Sequence, residues 1–543
     1  MAEQKLQLIA DYYRSNFDRL VDHARHWYAD LLTTEEADWI AKYSNLTTDA
    51  QCLLVRLLIR KGEWFRSDKL RYDEISDVSA AARELDQCGF IDINPAISEQ
   101  QLAASLLTRP ELIRLFVPNN KTLRKAELVE QLSSEPISPE LDVNFEIFYL
   151  NNSRVIELLT LLFFANTRQD ISQFVTEDLG LHQFENYQLS RERRFFNVRE
   201  QVDSLLQIAR LSNQHENITG RNKEGLTAIL QSVPQLCVHS YIDRKRAQLI
   251  NRLARDLERC GEEELALQWY SQVKLAPSRE RRIRILHKQE KLDKAEQILK
   301  EMQQQPQDVS EQEMAERLAL KIKRSRGEKT RRAVKPQYRE NHLTLELQGK
   351  RVELAVKEEY EQQGWQVYFI ENQLLNALFG LAFWDIIFAP VDDAFINAYQ
   401  TAPLDLYTQE FSQKRKAELE KRLQQLREGD IECIERHYHQ KQGTANNFVH
   451  WPLIDEELLK LALNSIKGEL LADLFEVMLS DLKLYRSGMP DLIAFKQNRF
   501  LWIEVKGPGD KLQDSQWRWI NEFNRLQVPF SVCYVNHEKK KVG

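Results

Sequence analysis

The chain has 543 residues, 43% of them hydrophobic, which is enough for about three to four domains with large buried cores. Its formal net charge of -7 excludes a uniformly basic nucleic-acid-binding protein, but a basic channel can coexist with acidic outer faces. The six cysteines form no CxxC pair, which fits reduced thiols in a cytoplasmic protein and offers no zinc site. The start lacks the apolar core of a signal peptide and no stretch is long enough to span a bilayer, so we expect no membrane partner.

The first segment, residues 12–90, has helical periodicity, with LLVRLLIRKGEWFR as a strong amphipathic stretch and Gly89 as a helix stop. Its aromatic residues Trp64, Phe65 and Tyr72 fit a core better than a base-stacking surface. Its basic side chains fit either a solvated helix face or a contact with DNA. These are Arg56, Arg60, Lys61, Arg66, Lys69 and Arg71.

Residues 101–132 predict two short helices around the turn Pro118-Asn119-Asn120, a pattern that resembles the SAP motif, which contacts duplex backbone. Lys121, Arg124 and Lys125 would lie at the start of the second helix, where free N–H groups and basic side chains suit phosphate oxygens. A plain helical hairpin explains the same residues.

Further helices are predicted after Ser133, followed by an arginine-rich helix whose basic residues spread over more than one face, so that one or two of them would touch nucleic acid. These arginines are Arg191, Arg193, Arg194 and Arg199. Residues 235–319 then repeat a helical-hairpin pattern similar to degenerate tetratricopeptide repeats, with Ala266 and Ala295 at close helix contacts and Pro277 ending the first unit. The basic stretch 321–335 predicts a linker that also contacts DNA.

In the C-terminal part, Trp365 to Ile370 are predicted to be extended, and Glu371 begins an apolar helical run. A carboxylate at the head of a buried helix needs a partner or a metal ion, because an isolated buried charge is expensive. An acid that caps the helix dipole needs neither. Both readings of Glu371 stay open at this point.

The stretch GMPDLIAFKQNRFLWIEVK predicts a hairpin in a mixed sheet, with a polar turn at residues 496–499. The start of its first strand lies beside the end of its second, so Asp491 and Glu504 should meet, with Lys506 on the same face. Carboxylates suit Mg²⁺ or Mn²⁺, and an ion bound by few of them can accept phosphate oxygens. The hairpin therefore predicts phosphodiester hydrolysis, although two acids and a lysine at solvated strand ends are also common by chance.

The pair Pro490-Asp491 followed by Glu504-Val505-Lys506 resembles the PD-(D/E)xK nuclease signature. Together with GLAFWDIIF, PLDL, GPGDKL and Gln516-Trp517 it resembles the VRR-NUC domain of the Fanconi-associated nuclease family. YYRSNF, LLVRLLIRKGEWFR, YDEIS and the SAP-like stretch follow the same family in the same order. The resemblance implies a DNA-repair nuclease with 5′-flap endonuclease and 5′ to 3′ exonuclease activity, used on interstrand cross-links.

By this resemblance Glu371, Asp491 and Glu504 are ligands of one or two Mg²⁺ or Mn²⁺ ions, and Val505 adds its backbone carbonyl. Lys506 orients or helps to deprotonate the attacking water. The vertebrate Cys/His finger that binds ubiquitin is not found, so recruitment by a ubiquitylated partner is not expected.

Gln516 falls on the apolar stripe of the helix that follows the hairpin, and the resemblance assigns it to the site rather than to a satisfied core position. Arg486 and Lys511 are either phosphate contacts or solvated charges. The resemblance implies a basic pocket for a 5′-phosphate, and its candidates are Arg191, Arg193, Arg194, Arg199, Lys483 and Arg486. His437 and His439 fit a polar helix end better than a metal site.

The expected fold is a mainly α-helical body with a C-terminal α/β nuclease domain. The expected divisions are residues 1–95 for a helical DNA-binding domain, 96–135 for the SAP-like module, 136–335 for repeats and linker, and 336–543 for the nuclease. The preferred substrate is branched or flapped duplex DNA, in the cytoplasm at the nucleoid if the source is bacterial. A junction-resolving or restriction-type nuclease and a non-catalytic repeat scaffold are the alternatives, and the oligomeric state stays open.

Overall fold

The structure is a computed structural model that describes residues 10–116, 123–137, 143–169, 183–218, 220, 222–330, 335–347 and 349–537. Contacts divide the chain into two compact units. The first comprises Met1–Leu181 with Phe196–Ala209, and the second comprises His182–Phe195 with Arg210–Gly543. The predicted divisions at residues 95, 135 and 335 stay predictions.

The first unit is mainly helical, in agreement with its periodicity. Its helices are Tyr12–Tyr28, Thr34–Ser44, Thr48–Leu58, Val78–Gln87, Glu99–Ser105, Arg109–Leu115, Lys125–Val129 and Val155–Phe164, and the helix Arg199–Glu216 begins here. The strands are β1 (Trp64–Arg66), β2 (Ile91–Ile93), β3 (Ile97–Ser98), β4 (Pro136–Ile137) and β5 (Ile147–Leu150), and single 3₁₀ turns lie at Ala29–Leu31 and Ser67–Lys69. Gly89, at φ +77°, follows the helix Val78–Gln87 and confirms the predicted stop.

A small antiparallel sheet in the order β1-β5-β2 corrects two sequence interpretations. The amphipathic stretch from Leu53 is helical only to Leu58, and Trp64–Arg66 is β1, because Gly62 at φ +94° turns the chain. The region after Ser133 contains β5 as well as helix, since its apolar residues pair with both β1 and β2. Phe65 is buried, as predicted for a core residue.

Two of the six basic residues in the first segment stabilise the fold. Arg56 Nη2 lies 2.6 Å from Glu74 Oε1, and Arg66 Nη1 lies 2.9 Å from Glu111 Oε2. Arg66 is also buried and donates to the Leu106 carbonyl. The exposed ones are Arg60, Lys61, Lys69 and Arg71.

The SAP-like stretch contains three described helices rather than two, because the chain breaks at Leu106–Leu107 and a capping box at Thr108 starts a new helix. Its core contains Leu102, Leu112 and Leu128.

The second unit begins with helical hairpins, as the repeats predict. Its helices up to Ser325 are Lys223–Gln231, Ser240–Arg259, Glu263–Tyr270, Ser278–Lys288, Leu292–Gln304 and Val309–Ser325. Ala266 and Ala295 are fully buried at the helix contacts. The first helical pair stops at Tyr270, and Pro277 lies at the predicted end of this unit as the N-cap of the next helix. The predicted linker is also wrong for residues 321–325, which complete the helix Val309–Ser325; residues 331–334 lie outside the described chain.

The α/β part of this unit contains a five-stranded mixed sheet in the order β6-β10-β9-β8-β7. Its strands are β6 (Glu340–Leu345), β7 (Gln366–Phe369), β8 (Leu492–Lys496), β9 (Arg499–Lys506) and β10 (Phe530–His537). β7, β8 and β9 are antiparallel neighbours, and β10 runs parallel to β9 and β6.

Helices cover both faces of the sheet. Val505, Ile503 and Cys533 share a core with Val356 and Tyr360 of the helix Val352–Gln362. On the opposite face, Trp502 shares a core with Trp519 and Phe523 of Asp514–Leu526, here called the site helix. Glu504 and Lys506 alternate with Ile503 and Val505, so they project towards the face of the site helix.

Between β7 and β8 lies a helical insertion whose residues form one large core with the sheet. Its helices are Leu374–Ala382, Trp384–Ile387, Gln409–Lys414, Lys416–Arg427, Glu432–Gln440, Glu456–Ser465, Gly468–Ser480 and Leu482–Tyr485, with a 3₁₀ turn at Trp451–Leu453. His437 is buried, and its Nδ1 lies 2.6 Å from the Leu381 carbonyl. This histidine is therefore part of the core, and the predicted polar helix end is wrong for it. The predicted fold class, a helical body with an α/β domain, is confirmed. Within the described ranges, no helix is both long and apolar enough to cross a bilayer.

A buried ion pair holds the insertion together. Arg415 is 1% exposed, its Nη1 lies 2.8 Å from Asp405 Oδ2, and its Nε donates to the Ile386 carbonyl. We expect Arg415→Met to lower the free energy of unfolding by about 3–5 kcal/mol, because Asp405 is left as an uncompensated buried charge.

The measurement is urea denaturation followed by tryptophan fluorescence. The matched control is Lys416→Met, which removes an exposed pair with Glu420 and should change the free energy by less than about 1 kcal/mol. Equal effects of the two substitutions would show that Arg415 contributes no more than a surface charge.

Candidate active site

The hairpin forms as predicted and brings its two acids together. Gln497 and Asn498 have φ of 51° and 56°, so they form a two-residue turn of the primed type that suits the twist of adjacent strands. Leu492 pairs with Ile503, which places Asp491 opposite Glu504. The Val505 N–H donates to Asp491 Oδ2 at 2.8 Å. The first acid is therefore fixed to the strand that carries the second.

Glu504 is the centre of the site's polar contacts. It is 4% exposed, and its Oε1 lies 2.8 Å from Lys506 Nζ and accepts a 2.6 Å hydrogen bond from Gln516 Nε2. The Gln513 N–H donates to Gln516 Oε1 at 2.9 Å, which fixes the orientation of the amide. The predicted meeting of Glu504 and Lys506 is observed, and Gln516 lies in the site rather than in the apolar core.

The electrostatics show that these carboxylates lie close together in a poorly solvated place. Burial raises the pKa of Glu504 to about 8, repulsion from Asp491 adds to the rise, and the Lys506 ammonium opposes it. Burial also raises the pKa of Asp491 to about 6, against the Val505 hydrogen bond, and the charge of Glu371 adds to it. Two acids in this environment retain negative charge at neutral pH most readily beside a cation.

Glu371 reaches the same region from a different element. The Ile370 N–H donates to the Asp491 carbonyl at 3.0 Å, directly after the last pair of β7 and β8, so Glu371 follows at the same end of the sheet. Its side chain is exposed and precedes the helix Leu374–Ala382, whose N-cap is Gln373. The prediction of a carboxylate at the head of a buried helix is therefore wrong, since a turn with Asn372 at φ +57° separates the two.

The carboxylate oxygens of the site are the type of ligand that a divalent cation binds. The Val505, Gln516 and Lys506 contacts fall on one oxygen of each acid, Asp491 Oδ2 and Glu504 Oε1, and carboxylate oxygens are the ligands that Mg²⁺ and Mn²⁺ prefer. As they stand, no three His, Cys, Asp or Glu side chains in the described part of the chain are grouped closely enough to hold a metal ion. The Glu371 side chain is exposed, so it can rotate towards Asp491 and Glu504. The roles of Glu371 and of the Val505 carbonyl as ligands stay predictions.

One acid at the site was missed in the sequence. Glu353, in the first turn of the helix Val352–Gln362, is near enough to raise the pKa of Asp491 further. An acid in the first turn of a helix is usually explained by the helix dipole, so the residue gave no separate signal.

Gly488 lets the site helix approach the hairpin. It has φ of +92°, and a Cβ at this position would lie 2.7 Å from the backbone carbonyl carbon and oxygen of Ser515. The Trp519 indole N–H donates to the Ser487 carbonyl at 3.1 Å in the same region. The glycine of the GMPD motif thus places Gln516 next to Glu504.

The basic residues predicted around the site differ in their surroundings. Lys483, Arg486 and Lys511 are exposed, and Arg486 Nη1 donates to the Tyr407 hydroxyl at 2.7 Å, which holds its guanidinium near the ring. Asn376 binds the Arg486 carbonyl, so the arginine is connected to the helix that follows Glu371. Their roles as phosphate contacts stay predictions.

The predicted arginine-rich helix is wrong for its first part. Residues 191–193 form a single 3₁₀ turn and the regular helix begins only at Arg199. Arg199 Nη2 lies 2.9 Å from Glu36 Oε1 and 2.9 Å from Asp203 Oδ1, which are contacts that stabilise the fold. Arg193 donates to the Pro390 carbonyl at 2.7 Å, and both Arg191 and Arg194 have partners as well.

The SAP-like positions are described in part. Arg124 is the exposed N-cap of the helix Lys125–Val129, in the predicted place, whereas Lys125 Nζ donates to the Ala104 carbonyl at 2.9 Å. Lys121 lies outside the described residues.

The chain is similar to known proteins over most of its length. The family profile described as "FAN1, HTH domain" matches residues 11–92, and the profile of the VRR-NUC domain matches residues 426–537. A protein named Fanconi-associated nuclease 1 homolog from Pseudomonas aeruginosa is 34% identical over 540 residues, which cover 96% of this chain and 95% of that protein. A homolog of the same name from Oryza sativa subsp. japonica is 27% identical over 99% of this chain and 64% of its own length.

Two solved structures are similar over nearly the whole chain. The crystal structure of paFAN1 bound to 2nt 5′flap DNA with gap has a TM-score of 0.86 and 33% identity, covering 98% of this chain and 100% of that chain. The crystal structure of paFAN1 bound to 1nt 5′flap DNA with gap has a TM-score of 0.84 at the same identity and coverage.

The close contact at Gly488 is testable without an assay of function. We expect Gly488→Ala to lower the unfolding temperature more than Gly509→Ala, because both positions have positive φ but only Gly488 faces a neighbouring backbone. The backbone strain common to both is about 1 kcal/mol, and the clash adds to it at Gly488 alone. The measurement is differential scanning calorimetry, and equal shifts for the two variants would contradict the close contact.

Proposed function

The chain belongs to the Fanconi-associated nuclease family, and on that premise we propose that it is a structure-specific DNA nuclease whose hydrolytic centre is the head of the β8–β9 hairpin. The observation that carries the proposal is the burial of Glu504 against Asp491, Lys506 and Gln516. An apolar side chain would stabilise this buried position better than a carboxylate between a second acid and an ammonium. A chemical role is therefore the better explanation for Glu504.

Family membership implies the use of a divalent metal ion, and we propose Mg²⁺ or Mn²⁺. Asp491, Glu504 and Glu371 would hold it, together with the Val505 carbonyl. The bound ion supplies Lewis-acid stabilisation of the scissile phosphate and lowers the pKa of bound water. The elevated pKa values of Asp491 and Glu504 support this proposal, because a nearby cation offsets the cost that burial imposes on both charges.

The remaining side chains of the site act on orientation and charge. Gln516 fixes Glu504 through Nε2 and is itself fixed through Oε1, so the carboxylate presents its second oxygen in one direction. Lys506 is 7% exposed and belongs to the same strand, and its ammonium would orient the attacking water and stabilise charge on the phosphate.

We propose 5′-flapped and branched duplex DNA as substrate, with 5′-flap endonuclease and 5′ to 3′ exonuclease activity in the repair of interstrand cross-links. The support is the similarity of the whole chain to structures of a relative bound to 5′flap DNA with a gap. The exposed Lys483, Arg486 and Lys511 are candidates for phosphate contacts near the site. Location at the nucleoid and recruitment without ubiquitin remain predictions.

Asp491→Asn tests the hydrolytic centre. We expect cleavage of a 5′-flapped duplex in Mg²⁺ or Mn²⁺ to fall by at least about 100-fold, because an amide cannot supply the charge that a cation requires. Lys506→Met should also lower the rate, without preventing DNA binding in EDTA. A gel assay with a four-way junction in parallel separates flap cleavage from junction resolution, and full activity of either variant would disprove the assignment.

Metal binding can be measured apart from activity. We expect millimolar Mn²⁺ to raise the unfolding temperature of the wild-type protein, since a ligand that binds only the folded state stabilises it. Asp491→Asn should abolish the rise and Glu371→Gln should reduce it. Glu353→Gln is the matched control, because Glu353 raises the pKa of Asp491 less than Glu371 does, and Glu371 also raises the pKa of Glu504. A larger loss in Glu353→Gln would transfer the third ligand position to Glu353.

A further inference from the structure

The catalytic face of the sheet continues beyond Lys506 as a strip of aromatic rings. Tyr534 of β10 is the register partner of Lys506, and His342 of β6 is the register partner of Tyr534. Register partners project to the same face of a sheet. Tyr534 and His342 therefore lie on the face that carries Glu504 and Lys506, one and two strands further from the hairpin.

Two more rings join this strip from outside the strands. The hydroxyl oxygens of Tyr338 and Tyr534 are 2.9 Å apart, and the Tyr338 ring meets Trp517 edge to face at 5.5 Å between centroids. Trp517 follows Gln516 in the site helix. The four residues Trp517, Tyr338, Tyr534 and His342, here called the aromatic strip, thus extend from the Glu504 contact to the outer strand of the sheet.

The outer end of the aromatic strip is open. His342 stacks on Tyr534 with 5.4 Å between centroids and 18° between planes, yet its side chain is 60% exposed. Glu340 Oε2 lies 3.2 Å from His342 Nε2 and holds the imidazole by its edge. A ring that is packed on one side, held at its edge and largely exposed to solvent presents a flat surface for another planar group.

The strip is not explained by core packing alone. The contact of Tyr338 with Trp517 anchors the segment before β6, which is a sufficient structural role for those two half-buried rings. His342 adds little buried surface, because 60% of its side chain stays exposed while it stacks on Tyr534. A cation also lies at the inner end, since Lys335 Nζ is 4.6 Å from the Trp517 ring centroid.

The aromatic strip lies beside basic groups and next to the proposed phosphodiester-cleaving centre. This combination suits a nucleotide as the ligand. Nucleobases stack on aromatic side chains when they are unpaired, whereas bases inside a duplex are already stacked on each other. The exposed Asn536 and Thr344 are register partners on the same face and supply polar groups beside the rings.

We propose that the aromatic strip binds unpaired nucleotides of the cleaved DNA strand by base stacking, with His342 as the outer stacking surface. The inference rests on the proposed nuclease function and deepens it, because it assigns the recognition of unpaired bases to the catalytic face itself. His342 acts as a positioning residue and takes no part in the chemical step.

The first experiment measures binding without cleavage. The full chain in EDTA is titrated into a nicked duplex that carries 2-aminopurine in a short unpaired 5′ segment, and into a fully paired nicked duplex. We expect the wild type to quench 2-aminopurine fluorescence. His342→Leu should lose the quenching and bind the unpaired substrate about fivefold more weakly or worse. Binding to the paired duplex should not change, and His342→Phe should retain stacking.

The second experiment measures cleavage with the same variants in Mn²⁺. His342→Leu should raise KM for the flapped substrate and leave kcat nearly unchanged, which distinguishes positioning from chemistry. The control is His439→Leu, an exposed histidine in the helix Glu432–Gln440. Equal losses on paired and unpaired DNA, or unchanged quenching in His342→Leu, would overturn the proposal.

The two readouts separate the proposals from each other. Quenching without cleavage by the wild type would retain the stacking surface and reject the nuclease function. Cleavage without quenching would retain the nuclease and reject the aromatic strip.

Discussion

The constraint on which the α/β part depends is the burial of Glu504 beside Asp491. Like charges in a poorly solvated place repel each other, and the surrounding structure must hold them there. Strand pairing does so for Asp491, because its carboxylate accepts the Val505 N–H of the neighbouring strand. Lys506 and Gln516 do so for Glu504, from the same strand and from the site helix. These contacts hold the two acids together within the fold itself, and the repulsion between their charges favours a nearby cation.

This constraint explains why the site helix must lie close to the hairpin. Gln516 reaches Glu504 only because Gly488 leaves space for Ser515. The same helix is connected to the helical repeats, since Arg518 Nε lies 2.7 Å from Glu313 Oε1 in the helix Val309–Ser325. The repeats consequently help to hold the helix that carries Gln516 in place.

The sequence predicted the parts of the site that depend on local pairing. The hairpin, its turn and the meeting of Asp491, Glu504 and Lys506 follow from alternation along two adjacent strands. Glu371 was identified by family resemblance rather than by physical reasoning, because its approach to Asp491 depends on the β7–β8 pairing across a helical insertion. Its expected place at the head of the apolar helix is wrong, because Asn372 in the left-handed region forms a turn between Glu371 and the helix Leu374–Ala382.

Features that depend on long-range contacts could not be predicted. The basic residues Arg56, Arg66 and Arg199 matched a DNA-binding pattern, yet they bind acids from distant segments that only the fold brings near. The aromatic strip combines residues from two strands, a helix and the segment before β6, and no spacing in the chain relates them. The sequence pattern predicted helix at Trp64–Arg66, which forms β1, because its strand partner β5 lies far along the chain.

The position of β10 has a consequence for the order in which the protein is made. β9 leaves the ribosome before Phe530–His537, and until then it forms the edge of its sheet. β6 is synthesised much earlier, but within the described chain its strand partner is β10. β6 therefore cannot pair until β10 has been synthesised. Pairing between segments this far apart is slow compared with helix formation. The sheet face that carries Glu504 and Lys506 is thus completed after the helical segments that precede it, and a nascent chain has its helices before it has this complete sheet.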